Sequence, residues 1–155
     1  MNAKTYLIIL LVLLFGASIF SWASDKSDET SLSFPAENIK WSKFPNEDGF
    51  LQGSPVIGDF NNGKHGTFVK LPAHFDSPVH FHTADFYGVV VKGEIINRRV
   101  EAKQETILKS GSYWFQKGKA VHITRCVSDE DCVIFVSQPD SFDYIPEEKK
   151  EEKKQ

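Results

Sequence analysis

The chain has 155 residues, of which 41% are hydrophobic and 25% are charged, and its formal net charge is −3. This slightly acidic balance gives no indication of a nucleic-acid partner. The length leaves room for one domain with a single core rather than two.

Residues 1–23 are predicted to form a secretory signal peptide. Lys4 precedes an apolar block at residues 6–15, and Ser21 and Ala23 stand at the −3 and −1 positions of a cut before Ser24. The alternative is an uncleaved anchor, because residues 6–22 approach the ~20 residues of a membrane-spanning helix. Cleavage is favoured. It predicts an exported protein, periplasmic or secreted, with no stable membrane span and 17 basic against 21 acidic residues.

The mature chain divides by composition into three parts. Residues 24–33 form a polar lead-in, residues 34–145 carry the apolar side chains of one domain, and residues 146–155 form a charged tail of Glu and Lys blocks. The tail has no apolar side chain beyond Pro146, so it is expected to be solvated and disordered.

Short runs rich in β-branched and aromatic residues recur along the domain, separated by Gly, Pro, Asn and Asp. No window shows a helical period of any length. About ten short strands with turn signals between them predict an all-β sandwich or barrel. The runs are residues 39–44, 54–57, 66–71, 79–82, 86–91, 94–100, 105–108, 112–115, 121–126 and 132–138.

Cys126 and Cys132 flank a segment, Val-Ser-Asp-Glu-Asp, that resembles a turn between two strands. In an exported protein, cysteines that face each other across such a hairpin are expected to form a disulfide. A free thiol pair and a metal site that includes His122 are the alternatives.

The histidines carry the clearest functional signal. His80 and His82 are two residues apart, so on a β-strand both side chains point to the same face. A third imidazole, from His122 on a distant strand, would complete one facial metal site. A lone histidine on an apolar strand is more often a core residue, and the His-x-His spacing sets these three apart.

The segment from about residue 41 to residue 140 resembles a single-domain cupin. His80-x-His82 followed by Gly93 matches the first cupin motif, and Gly111 through His122 is similar to the second. The resemblance implies a cupin-type double-stranded β-helix, the jelly-roll barrel. Phe86 stands where the family places a metal-binding Glu, and the second motif has Lys117 in place of Pro.

The resemblance also implies a divalent transition metal, iron, manganese or zinc, held by His80, His82 and His122. Three imidazoles bind such ions and leave positions open. Asp85 is one residue from the missing Glu. It is expected to act as a fourth ligand if the strand start is bulged, or to fix the tautomer of an imidazole.

Residues expected to line the barrel are drawn from the loops and strands around these histidines. Neighbours in sequence cannot both face the cavity, so Phe86 and Tyr87 are alternatives. Arg99 is a candidate to pair with a ligand carboxylate. His74 replaces the first glycine of the first motif and is placed at the barrel rim, and Tyr113 is a further candidate on its strand.

Three functions fit this pattern. The first is a metal-dependent enzyme, most plausibly with a dioxygenase-like activity on a small organic molecule. The second is a non-catalytic module that binds a metal or small ligand, similar to the cupin domains of anti-sigma-factor regulators. The third is a jelly roll whose histidines bind nothing and which forms a homodimer through edge strands.

Overall fold

The structure is a computed structural model that describes residues 33–44 and 51–147. The predicted signal peptide lies outside the described residues, and so does the lead-in except for Ser33. Of the predicted tail, only Pro146 and Glu147 are described.

The described residues form two antiparallel sheets. One has six strands in the order β1-β2-β3-β10-β5-β8, and the other has five strands in the order β11-β4-β9-β6-β7. A short 3-10 helix, Ala36–Asn38, precedes them. The strands are β1 Ser42–Lys43, β2 Gln52–Gly58, β3 His65–Leu71, β4 His80–Phe81, β5 Phe86–Lys92, β6 Glu94–Arg99, β7 Leu108–Lys109, β8 Tyr113–Gln116, β9 His122–Cys126, β10 Cys132–Gln138 and β11 Ile145–Pro146.

Side chains alternate between a buried and a more exposed face along the long strands, as the period of two requires. On β3 and β10 every second residue is buried, and on β5 the buried positions are 86, 88 and 90. The inward faces meet in one apolar core between the sheets, which is the jelly-roll arrangement. Core side chains include those of Val69, Leu71, Phe86, Val90, Ile95, Trp114, Ile134 and Val136.

The predicted all-β fold is confirmed, and the ten predicted runs correspond to β1–β10, with the same ends for β10 and shifted ends for the others. The seventh run is displaced most, because β7 is Leu108–Lys109 rather than residues 105–108. Strand β11 was not predicted. It contains Pro146, and Glu147 donates its backbone N–H to the carbonyl of Val79, so the ordered chain continues into the segment assigned to the tail.

A disulfide joins Cys126 at the end of β9 to Cys132 at the start of β10. Both half-cystines are buried, with side chains in the apolar core. The pairing predicted from the hairpin is therefore present, and it links the strand that carries His122 to the neighbouring sheet. Among residues 33–44 and 51–147, no helix is long and apolar enough to cross a membrane.

Candidate metal centre

Three histidines meet inside the barrel because two short strands pair there. His80 on β4 lies directly opposite His122 on β9 in the antiparallel register, and His82 follows two residues after His80. The ring centroids of His80 and His122 are 4.3 Å apart, and those of His82 and His122 are 5.3 Å apart. One potential ligand atom from each residue lies within 4.8 Å of the others. This group could therefore hold one metal ion.

Backbone carbonyls fix the tautomer of each ring. The Nδ1 atom of His80 lies 2.8 Å from the Pro78 oxygen, and that of His122 lies 2.9 Å from the Ala120 oxygen. Nδ1 of His82 bonds the Asp143 oxygen. Since a carbonyl can only accept, each Nδ1 carries the proton and each Nε2 keeps its lone pair. This is the form in which histidine binds metals.

The state of the His122 Nε2 atom is compatible with a bound metal ion. Its side chain is 0% exposed, and this nitrogen has no hydrogen-bond partner in the part of the chain that the structure describes. A buried polar atom without a partner costs about 1–3 kcal/mol. A metal ion bound to Nε2 would remove that cost.

Burial keeps all three rings neutral. It lowers the pKa of His80 to about 3, with the neighbouring His122 adding to the effect, and lowers the pKa of His122 to about 4. Burial also lowers the pKa of His82. Desolvation disfavours the imidazolium, and each additional positive charge would repel the others. The site thus holds three uncharged nitrogen donors at neutral pH.

Polar side chains behind the rings hold two of the carbonyls in place. Ser77 donates its hydroxyl to the Pro78 oxygen at 2.9 Å and accepts the Thr124 N–H at 2.9 Å. On the other side, the Gln116 amide donates to the Ala120 oxygen at 3.2 Å. Such supporting bonds orient metal-binding imidazoles and contribute to affinity.

A C-terminal segment, residues 141–147, completes the site and was not predicted to take part. Asp143 provides the carbonyl for His82, and its carboxylate accepts the backbone N–H of Thr83 at 2.9 Å and the Thr83 hydroxyl. The Tyr144 ring stacks on His80 with centroids 4.3 Å apart, and Phe142 lies 5.3 Å from His82. Aromatic residues in the sequence just before the charged tail were the available signal for this segment.

Asp85 does not join the histidines. Its carboxylate accepts the Gly118 N–H at 2.7 Å and the Lys117 ammonium at 2.9 Å, and these bonds lower its pKa. Asp85 is therefore not positioned to act as a fourth metal ligand or to fix the tautomer of an imidazole. Backbone carbonyls take the second role. Asp85 instead fixes the turn before Ala120, where a Cβ on Gly118 would lie 2.4 Å from the Thr83 oxygen.

Of the five residues expected to line the cavity, the structure brings only Phe86 to it. Tyr87 and Tyr113 fall on the outward phase of β5 and β8, where they are 51% and 58% exposed. Arg99 lies beside Glu101 at 3.5 Å on the surface, and His74 lies beside the exposed Asp129 at 3.2 Å. The two tyrosines face outward because neighbouring residues on a strand point to opposite faces, and Phe86 and Trp114 next to them face inward.

A cavity lies beside His80 and His82 and encloses about 590 Å³ when its open mouth is included. Sixteen of the described residues line it, eleven of them apolar or aromatic and five polar, and none of these sixteen carries a carboxylate, an ammonium or a guanidinium group. The lining residues are Phe44, Leu51, Val69, Leu71, Phe75, Ser77, His80, His82, Phe86, Trp114, Thr124, Ile134, Val136, Gln138, Phe142 and Tyr144.

Solved structures with similar folds include several cupins. The polyketide cyclase RemF from Streptomyces resistomycificus superposes with a TM-score of 0.63 at 15% identity, covering 78% of this chain and 88% of RemF. An RmlC-like cupin from Ralstonia eutropha JMP134 gives 0.58 at 20% identity, with 74% and 71% covered. KdgF from Halomonas sp. gives 0.54 at 18% identity, with 71% and 94% covered. These identities establish the fold alone.

Sequence comparison supplies the family. No curated protein sequence matches the chain. The model of a domain of unknown function, DUF4437, matches residues 23–145, which include every strand of the barrel up to the start of β11. The chain therefore belongs to the DUF4437 family and has the cupin fold.

Proposed function

We propose that this protein is an exported, metal-dependent cupin that acts on a small organic molecule, with a dioxygenase-like activity as the leading candidate. The observation that carries the proposal is the state of the three imidazoles. Each proton is held on Nδ1 by a backbone carbonyl, and the buried Nε2 of His122 has no partner among the described residues.

His80, His82 and His122 would hold the ion. Three neutral nitrogen donors suit divalent iron, manganese or zinc, and they leave coordination positions open for other ligands. A bound divalent metal supplies Lewis acidity, and iron or manganese also supplies redox capacity. The chain itself would orient the rings, through Pro78, Ala120 and the C-terminal segment, and exclude water with the apolar walls of the cavity.

The fold is compatible with catalysis. Besides the polyketide cyclase RemF, the similar structures include one of DMSP lyases, with a TM-score of 0.57 and 13% identity. The cavity beside His80 and His82 is lined mainly by apolar and aromatic side chains with a few polar groups, as small-molecule sites commonly are. These observations support a small organic ligand without identifying the reaction.

One observation favours the alternative, a non-catalytic module that binds a metal or small ligand. Among residues 33–44 and 51–147, those that line the cavity include no carboxylate or amine for general acid–base catalysis, and Asp85 is bonded to Lys117 and Gly118. Any proton transfer would therefore depend on a histidine not engaged by metal, on Tyr144 or on a metal-bound group.

Metal identity and dioxygen consumption distinguish the two functions. The mature protein would be loaded separately with Fe(II), Mn(II) and Zn(II), and dioxygen uptake would be recorded with small carbonyl and aromatic compounds. Substrate-dependent uptake with iron or manganese that is lost in His122→Ala supports the enzyme. Tight zinc binding without turnover of any compound supports the binding module.

Export is part of the proposal and has its own test. The buried disulfide between Cys126 and Cys132 is compatible with an oxidising compartment. Fractionation of expressing cells, followed by N-terminal sequencing, should recover a chain beginning at Ser24. A full-length chain that begins at Met1 and sediments with membranes would instead indicate the uncleaved anchor.

A further inference from the structure

We infer that the outer face of the six-stranded sheet is the interface of a homodimer, in which two copies of the chain pack sheet against sheet. The inference goes beyond the proposed function, because this face lies on the opposite side of the sheet from the side chains that line the cavity. Nine apolar residues form it, and together they are called the outer apolar face: Ile57, Phe68, Tyr87, Val89, Val91, Tyr113, Phe115, Val133 and Phe135.

Strand register places these residues side by side. Ring contacts show that neighbouring strands share the face, since the ring centroids of Phe68 and Phe135 are 5.1 Å apart and those of Tyr87 and Phe115 are 5.3 Å apart. Two rows of paired residues cross the sheet. One row contains Ser54, Phe68, Phe135, Val89 and Tyr113, and the other contains Ile57, Gly66, Ser137, Tyr87 and Phe115. The outer apolar face is therefore continuous across five strands.

This face concentrates the exposed apolar surface of the protein. Of the ten exposed large apolar side chains in the described part of the chain, six belong to it, namely Ile57, Tyr87, Val89, Val91, Tyr113 and Phe115. An aromatic side chain has roughly 150–250 Å² of surface, so the three rings, each about half exposed, alone offer roughly 300 Å². That already reaches the ~300–600 Å² of the largest apolar patch on a typical monomer, and larger patches mark interaction sites.

The outer face of the five-stranded sheet has the opposite character. Arg98 on β6 and Arg125 on β9 lie 3.0 Å and 3.2 Å from the Glu105 carboxylate, and Arg125 also lies 3.2 Å from Asp76. An antiparallel sheet normally carries polar side chains like these on its solvated face. The jelly roll requires apolar residues only on the inner faces, so the apolar residues outside the six-stranded sheet are explained if that face is covered.

The size of the face matches what a dimer needs. Five strands about 4.8 Å apart and seven residues that each rise about 3.3 Å give a footprint of roughly 19 Å by 23 Å, or about 440 Å². This figure counts only the flat area, and the relief of the side chains adds to it. The face and its rim therefore supply the roughly 600 Å² per copy at the lower end of stable interfaces.

A second copy of the chain is the partner that suits this surface. A two-fold axis brings the same patch from both copies together, so charges near the axis would repel their own copies. The lysines that border the face are engaged within the chain, since Lys70 lies over the Trp41 ring at 4.3 Å and Lys92 lies 2.8 Å from Glu130. Sheets pack face to face through apolar side chains of this kind. This surface differs from the edge strands that the sequence suggested for a dimer.

The test is the mass of the mature protein by sedimentation equilibrium, from low to high micromolar concentration. We expect a dimer. Val89→Lys places a charge on the face and should raise the dimer dissociation constant at least about 10-fold, because the two-fold axis repeats the change in both copies. Val100→Lys is the matched control, since Val100 is 42% exposed against 38% for Val89 but lies after β6, outside the face, and it should leave the constant unchanged. Phe115→Arg is a second variant on the face, and thermal melts establish that each variant is folded.

A mature protein that stays monomeric throughout the concentration range would overturn the inference. So would a dimer that persists unchanged in the folded Val89→Lys and Phe115→Arg proteins, because that dimer would use another surface, such as an edge strand. If Val89→Lys does not fold, Phe115→Arg decides. A monomer that sediments with vesicles of phosphatidylcholine, and no longer does so as Phe115→Arg, would assign the face to a membrane and would also overturn the inference.

Discussion

Lowering the pH should destabilise the metal-free protein well before ordinary carboxylates titrate. His80 and His122 are buried and neutral in the folded state, where burial lowers their pKa values to about 3 and about 4. In the unfolded chain both return to about 6.5. Because the unfolded state binds more protons between these values, stability falls as the pH falls through this window and is fully present above it.

The magnitude follows from linkage. Between pH 7 and pH 5, each histidine that stays neutral in the folded state and titrates near 6.5 in the unfolded state removes about 2 kcal/mol of stability. His80 and His122 together would remove about 4 kcal/mol, and the lowered pKa values of His82 and His65 act in the same direction. Domains of this size have about 5–15 kcal/mol in total.

The assay is urea unfolding of EDTA-treated protein at several pH values between 7.5 and 5, followed by circular dichroism. His74→Ala is the matched control, because that imidazole is 67% exposed beside Asp129 and should leave the slope unchanged. Added Zn(II) should restore stability at each pH above 5. A free energy of unfolding that is flat across this range in metal-free protein would refute the assignment of buried, neutral histidines.

Three further predictions concern packing, the C-terminal segment and the disulfide. Gly88→Ala would place a methyl group 2.2 Å from the Trp114 ring and should lower the free energy of unfolding by about 1–3 kcal/mol. Gly63→Ala has nothing within 4 Å of the added methyl group and should change the free energy of unfolding by less than about 0.5 kcal/mol. Equal effects of the two variants in urea unfolding would contradict the packing of Gly88 against Trp114. Asp143→Ala should weaken metal binding about 10- to 100-fold in a chelator competition, and Asp140→Ala, just before the C-terminal segment, should not. Replacing both half-cystines by alanine should lower the free energy of unfolding by about 2 kcal/mol, measured in urea. An unchanged midpoint would show that the disulfide contributes nothing to stability.

Local sequence patterns were sufficient to predict the strands and the shared face of His80 and His82. Alternating apolar residues locate the long strands, and His80 and His82 share a face wherever the strand lies. That His122 meets them depends on the pairing of β4 with β9, which here followed from the resemblance to cupin motifs rather than from any local signal.

Contacts between distant segments could not be predicted in the same way. The Asp143 carbonyl bonds to His82 across 61 residues of sequence, and no periodicity reports such a contact. Tyr87 and Phe86 are both aromatic, so composition could not decide which faces the cavity. Motif spacing predicted Asp85 near the three histidines. Its carboxylate instead bonds to Lys117 and Gly118 in a turn, and motif spacing carries no information about that contact.

The central claim is that His80, His82 and His122 bind one metal ion, and its most direct test is metal content by mass spectrometry. Untagged mature protein and single alanine variants would be incubated with Fe(II), Mn(II) or Zn(II) and then desalted. The structure predicts about one ion per chain in the wild type, in His74→Ala and in Asp85→Ala, and a large loss in each of the three histidine variants. Equal metal content in all of these proteins, or none in the wild type with any of the three metals, would contradict the claim.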